Sequence, residues 1–220
     1  MSKANASRGQ RSDGEATRAR ILEAAGELWA TTSFAETTSK AIAAKAGVDL
    51  ASINYHFGSR GGLYQAVLIE AHHRLMDLDE LTRLAQSPLA ATDKLRILIA
   101  QIVRQAVDDG GGWHLPVLAA EVLAPSSHAK VLEQAEILPK APIALGILSE
   151  ITGLPADDPA LPGCLVSAIG PCLLLLIGRR GLPGPVQQVR AMPYPALVDQ
   201  LHRFAVGGLE AVGRAAAPPR

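Results

Sequence analysis

Residues 34–64, FAETTSKAIAAKAGVDLASINYHFGSRGGLY, hold two short amphipathic patterns separated by Gly47-Val48, a spacing that leaves this stretch few ways to fold. Thr38 or Ser39 can offer a side-chain oxygen to the unpaired amides of a helix start, and Ala41, Ile42, Ala43, Ala44 and Ala46 supply its small apolar faces. The first pattern therefore predicts a helix over 39–46. A glycine just past a helix end takes positive φ without a Cβ penalty, so Gly47 predicts the turn. Asp49 is the expected N-cap of a second helix over 50–57, its charge suited to the positive helix end. Ile53 and Phe57, four apart, face inward, and Val48 plugs the angle between the helices. Leu50, Ala51, Ser52, Asn54, Tyr55 and His56 are left for the outer face. Two short helices with a polar outer face on the second are the arrangement of a helix-turn-helix.

The longer run from Thr17, TRARILEAAGELWATTSFAETTSKAIAAKAGVDLASINYHFGSRGGLYQAVL, resembles the N-terminal domain of the TetR family of transcriptional regulators. The resemblance rests on ILEAAGELWA as first helix, Phe34 closing a loop, the T-x-x-x-I-A-x-x-A-G-V run from Thr38, Y-H-F at 55–57, the Ser59-Arg60 pair, and Leu63 four residues after Ser59. It implies an all-α protein: a three-helix DNA-binding domain, a helical ligand-binding and dimerisation domain behind it, and repression relieved by a small molecule. Aligned residue by residue, it makes Lys40, Tyr55, His56 and Arg60 phosphate-positioning groups and Leu50, Ala51, Ser52 and Asn54 the base-edge set. The chemistry agrees, since asparagine can pair bidentately with adenine and small apolar groups can meet a thymine methyl. Two departures stand out: Asn54 where most relatives carry an aromatic, and Gly61-Gly62 after the Ser-Arg pair, which predicts a loose start to the fourth helix.

The chain has 220 residues, 48% hydrophobic, enough for two modest domains. The expected division is a disordered basic tail over 1–15, the DNA-binding domain over 16–62, the helical domain over 63–213 and a second tail over 214–220. Net charge is zero, but residues 1–20 carry +3 and residues 1–60 carry +2, so a faintly basic head precedes a faintly acidic body. With no apolar stretch at Met1–Gln10 to act as a secretory signal, the expected location is cytoplasmic.

Beyond Tyr64, Leu63, Val67, Ala71, Leu75 and Leu78 predict one long fourth helix. Later helices are expected over 88–107, 113–123, 127–138, 142–152, 161–177 and 195–212, with loops at 110–112, 155–159 and 178–185. The apolar run 164–177, CLVSAIGPCLLLLI, is 14 residues long and interrupted by Pro171, short of the roughly 20 a membrane span needs. It pairs instead with the last helix (Leu197, Leu201, Phe204, Leu209) as the expected four-helix dimer interface. Cys164 and Cys172, eight apart, lie about 12 Å apart along a helix axis and read as buried thiols.

No enzyme is expected. His72-His73, Asp108-Asp109, the cysteines, and His114 with Glu121 form no HExxH, CxxC or nucleophile turn, and no metal or cofactor is implied. Trp113, His114 and Glu121 can instead dress an effector pocket, the bland alternative being a packed Trp113 and a solvated Glu121. HLPVLAAEVLAPSS with SEITGLPADDP is also similar to a C-terminal domain of one branch of the family, which leans toward drug or toxic-compound export. The expected function is a ligand-responsive homodimeric repressor bound to a palindromic operator in double-stranded DNA. The alternative is a helical ligand-binding or protein-interaction module that has lost DNA binding.

Overall fold

The structure, a computed structural model, describes residues 3–108, 112–178 and 184–216, with side chains from residue 13 onward. The described residues are helical with no strand among them. They form two units: Met1–His72 with Gly112–Leu132, and His73–Gly111 with Glu133–Arg220. The first unit thus includes a segment well downstream of the 16–62 head that the sequence predicts.

In the first unit, α1 (Lys3–Thr31) is followed by α2 (Ser39–Ala46), α3 (Leu50–Phe57) and α4 (Arg60–Leu75), whose end continues into the second unit. The backbone of α1 is helical through residues 3–15, where the sequence predicts a tail; alanine, arginine, glutamine and glutamate there are good helix formers. Ile21, Ala25 and Trp29 of α1, Ile42, Ile53 and the α4 stripe Leu63, Val67 and Ala71 are all buried. Two later helices return to this unit, α7 (His114–Leu123) and the short α8 (Ala129–Leu132). Trp113, just before α7, is buried where a Cβ on Gly26 of α1 would lie 2.2 Å from its indole, so the two helices meet at a residue with no side chain.

The second unit comprises α5 (Leu78–Gln86), α6 (Ala91–Val107), a π-helical turn (Glu133–Ile137), α9 (Leu138–Thr152), α10 (Leu161–Gly178), α11 (Pro185–Arg190) and α12 (Tyr194–Ala216). The single long fourth helix expected through Leu78 is broken. Asp77 accepts a hydrogen bond from the Glu80 amide at 2.8 Å and starts α5 afresh, a D-x-x-E start signal present in the sequence. Residues 127–138 and 142–152 are likewise not two helices but a nearly continuous path through the π turn. Pro139, which has no N–H to give a carbonyl four residues back, lies in the first turn of α9 just past the π turn. Of the expected loops, residues 109–111 and 179–183 lie outside the described residues, as do 1–2 and 217–220 of the expected tails.

Leu81 of α5, Leu98 of α6 and Ile147 of α9 form a buried cluster, and α6 also packs against α10 and α12. Lys94 is buried with its ammonium donating to the Ala85 carbonyl at 2.7 Å, closing the end of α5. Arg190 does the same for two helices, donating to the carbonyls of Ala106 (2.7 Å) and Leu175 (2.9 Å).

Pro171 does not interrupt α10. The helix is 18 residues long, close to the expected 161–177, and with a mean hydropathy of 2.1 it reaches the size of a membrane span by length and composition. One face, including Leu161, Cys164, Ala168 and Cys172, is buried within the second unit. Both cysteines are free and buried, and burial pushes the Cys172 thiol up to about 11. A thiol reagent at neutral pH is therefore expected to modify neither cysteine rapidly in the native protein and both after denaturation. Rapid native labelling of Cys172 would contradict this burial.

Candidate nucleic-acid interface

The helix-turn-helix is assembled by local hydrogen bonds that its sequence spells out. Thr38 accepts from the Ala41 amide at 3.1 Å, capping α2. Gly47 takes φ 65°, and its amide and that of Val48 close on the carbonyls of Ala44 (3.3 Å) and Ala43 (3.0 Å). Asp49 accepts from both the amide (2.8 Å) and the hydroxyl (2.6 Å) of Ser52, and these two bonds hold its carboxyl below its ordinary range. The charged cap keeps α3 in register with the turn.

That anchoring fixes what α3 presents. Ile53 is buried and Phe57 half-buried, whereas Leu50, Ala51, Asn54 and Tyr55 are exposed, Tyr55 at 85%. His56 is half-buried with its ring 5.0 Å from that of Tyr55. The Ser52 hydroxyl spends its proton on Asp49 and keeps acceptor capacity for a base edge. Lys40 is exposed in the first turn of α2, whereas Lys45 is tied to Glu27 of α1 at 2.8 Å.

Arg60 stands apart from the set it was grouped with. Its guanidinium lies 4.2 Å from the centre of the Phe34 ring and donates to the Phe34 carbonyl. The side chain is half-buried and braces the loop between α1 and α2 against the start of α4. Around that loop, Trp29, Phe34 and Tyr64 form one ring cluster, with centroids 4.6 to 5.7 Å apart. The His128 ring joins it from the segment between α7 and α8, 5.7 Å from Phe34 and 5.6 Å from Tyr64.

Gly61 and Gly62 lie inside the first turn of α4, the start that the sequence predicts to be loose. The Gly62 amide donates to the Ser59 hydroxyl at 3.0 Å, and a Cβ on Gly62 would sit 2.1 Å from the Phe57 carbonyl oxygen. The glycine is required by close approach of two backbones.

The expected effector trio, Trp113, His114 and Glu121, lies at the start and along the length of α7. Trp113 is packed, His114 is half-buried, and Glu121 is only 5% exposed. Glu121 is thus not the solvated residue of the alternative reading. One oxygen accepts from the Tyr64 hydroxyl at 2.8 Å and the other from the amide and hydroxyl of Ser126, both at 2.8 Å. Sequence periodicity gave no sign of this tie, because its partners are 57 residues apart. Burial, and then the bond to Glu121, raise the Tyr64 pKa well above that of a free phenol. A raised folded pKa means stability fully present below the unfolded value of about 10 and lost above it, at up to about 1.4 kcal/mol per pH unit. Denaturant midpoints compared at about pH 9 and 11 are expected to show this loss in wild type and a smaller one in Tyr64→Phe. Equal alkaline losses in both would exclude Tyr64 as its source.

A capped helix-turn-helix in one helical unit, with a second all-helical unit behind it in sequence, is the plan of a bacterial DNA-binding regulator. Residues 21–67 match the model of bacterial regulatory proteins of the tetR family, and residues 91–209 match the C-terminal domain of the HTH-type transcriptional dual regulator CecR. The chain belongs to the TetR family: it is a transcription regulator with a DNA-binding helix-turn-helix and a ligand-binding domain. No curated protein matches it significantly.

Among solved structures, the fatty acid degradation regulator FadR of Bacillus halodurans is similar with TM-score 0.67 and 18% identity, over 86% of this chain and 97% of that one. FadR of Bacillus subtilis in complex with stearoyl-CoA is similar with TM-score 0.65 and 17% identity, over 86% and 97%. A transcriptional regulator of Pseudomonas aeruginosa PAO1 gives TM-score 0.70 and 18% identity, over 91% and 93%. At these identities the likeness is one of fold.

Proposed function

We propose that the protein is a homodimeric repressor that binds a palindromic operator and is released by a small apolar or amphiphilic effector. The observation that carries this reading is α3: its caps fix one helix face on which Leu50, Ala51, Asn54 and Tyr55 are exposed together. Leu50, Ala51, Ser52 and Asn54 read base edges, while Lys40, Tyr55 and His56 position phosphates. Such a regulator works in the cytoplasm, where its DNA is.

Dimerisation is supported by the outer faces of α10 and α12. Val166 and Leu174 of α10 and Phe204 of α12 are exposed, Phe204 at 78%. Between the two helices runs a groove of about 320 Å³ floored by Gly163, Ser167, Ala205 and Gly208. Large exposed apolar groups beside a groove of small ones suit a helix pair packed against a second copy. The apolar or amphiphilic effector is supported by the stearoyl-CoA held by the similar Bacillus subtilis FadR.

The test is base preference. Asn54→Ala is expected to relax discrimination at one operator position by about tenfold, and Lys40→Ala to weaken binding to all sequences alike. A uniform loss for Asn54→Ala would remove it from the base-reading set.

A further inference from the structure

Arg18 of α1 lies against the end of the recognition helix. Its guanidinium carbon is 5.0 Å from the centre of the Phe57 ring, and the side chain is exposed. Phe57 is the last residue of α3, three residues after Asn54 and seven after Leu50, so all three share one helix edge. A permanently charged group is thereby stationed beside the edge that carries the asparagine. Stacking on a ring engages one face of the guanidinium and leaves the donors around its rim, while limiting the rotamers it must surrender on binding.

Arg60 marks the contrast, since its guanidinium is committed to the ring and carbonyl of Phe34. Lys45 is committed to Glu27.

We infer that Arg18 is a DNA phosphate contact, held in position by Phe57, and that it supplies at this edge of the head the positive charge that Arg60 does not. This rests on the reading of α3 as the DNA-facing helix. A phosphate here would be clamped between groups from α1 and α3, which fixes the angle at which the recognition helix enters the groove. Contacts of this kind carry no base information and set register and affinity for every sequence.

The test uses the full-length protein and a fluorescent mixed-sequence duplex of about 30 base pairs titrated across KCl concentrations. Arg18→Gln is expected to weaken binding about tenfold near 100 mM KCl, the scale of a charge-assisted hydrogen bond. It is also expected to flatten the slope of log affinity against log salt by about 1.8, two phosphates at roughly 0.9 each in a dimer. Arg18→Lys keeps the charge and loses the planar stack, so it should retain the slope with an affinity loss of about threefold. An unchanged slope in Arg18→Gln overturns the inference, and a lowered melting temperature alongside it assigns Arg18 to packing alone. If wild type itself shows no salt-dependent binding, the DNA-binding reading of α3 fails and takes the inference with it.

Discussion

Gly62→Ala is expected to destabilise the protein by about 3 kcal/mol and to weaken duplex binding by more than about tenfold. Intrinsic propensity argues the other way, because alanine inside a helix is favoured over glycine by about 1 kcal/mol. The overlap decides. A Cβ at this position would lie 2.1 Å from the carbonyl oxygen of Phe57, and both are backbone-fixed atoms with no side chain to swing aside. Relief requires α4 to move away from the end of α3, which breaks the Gly62 amide bond to Ser59 and tilts the recognition helix. Gly61→Ala is a built-in comparison: its Cβ would meet the His128 ring at 3.1 Å, a contact with a side chain that can give. Urea denaturation and duplex binding of both variants are the measurements, and a more stable Gly62→Ala protein would show that propensity wins.

The second large effect concerns Glu121. Glu121→Ala removes a buried carboxylate that serves three donors, and it leaves the Tyr64 hydroxyl and the Ser126 amide and hydroxyl without that acceptor. A cost of about 3 kcal/mol is expected, since each buried donor left unmade costs on the order of 1 to 3 kcal/mol and partial relaxation recovers some of it. The interaction itself is isolated by a double-mutant cycle of Tyr64→Phe with Glu121→Gln. A coupling of about 1.5 kcal/mol or more is expected if the pair forms in solution. Additive losses would mean that α4 and the end of α7 are joined by packing alone. The tie matters beyond stability. Residues 112–132 leave the second unit in sequence, pack into the first, and return, so this unit is assembled from segments distant in the chain.

How far the sequence revealed this structure depended on the range of the interactions. Helices α2 and α3 begin and end where Thr38, Gly47 and Asp49 predict, because each cap is a bond between residues three to five apart. The break at Asp77 was equally local and could have been read from Asp77 and Glu80. The overriding influence was the apolar stripe, which Leu78 continues only when the cap is ignored. Arg60 and Glu121 belong to another class. Arg60 answers to Phe34, 26 residues away, and Glu121 to Tyr64, 57 away, so nothing in their neighbourhoods distinguishes a structural brace from a phosphate or ligand contact. The same holds for Gly26, whose lack of a side chain acquires meaning only when Trp113 is laid across it. Pro171 failed as a breaker in a helix whose buried face packs against α6, α9 and α12, contacts that offset the one backbone bond that a proline removes.

The central claim is that α3 reads DNA as one of a symmetric pair. Its most direct test is selection of bound duplexes from a random-sequence library with the purified full-length protein. The account predicts an enriched palindrome whose half-sites are separated by about one or two helical turns, roughly 34 Å per turn. A single unrepeated motif, or no enrichment over the starting library, would contradict it.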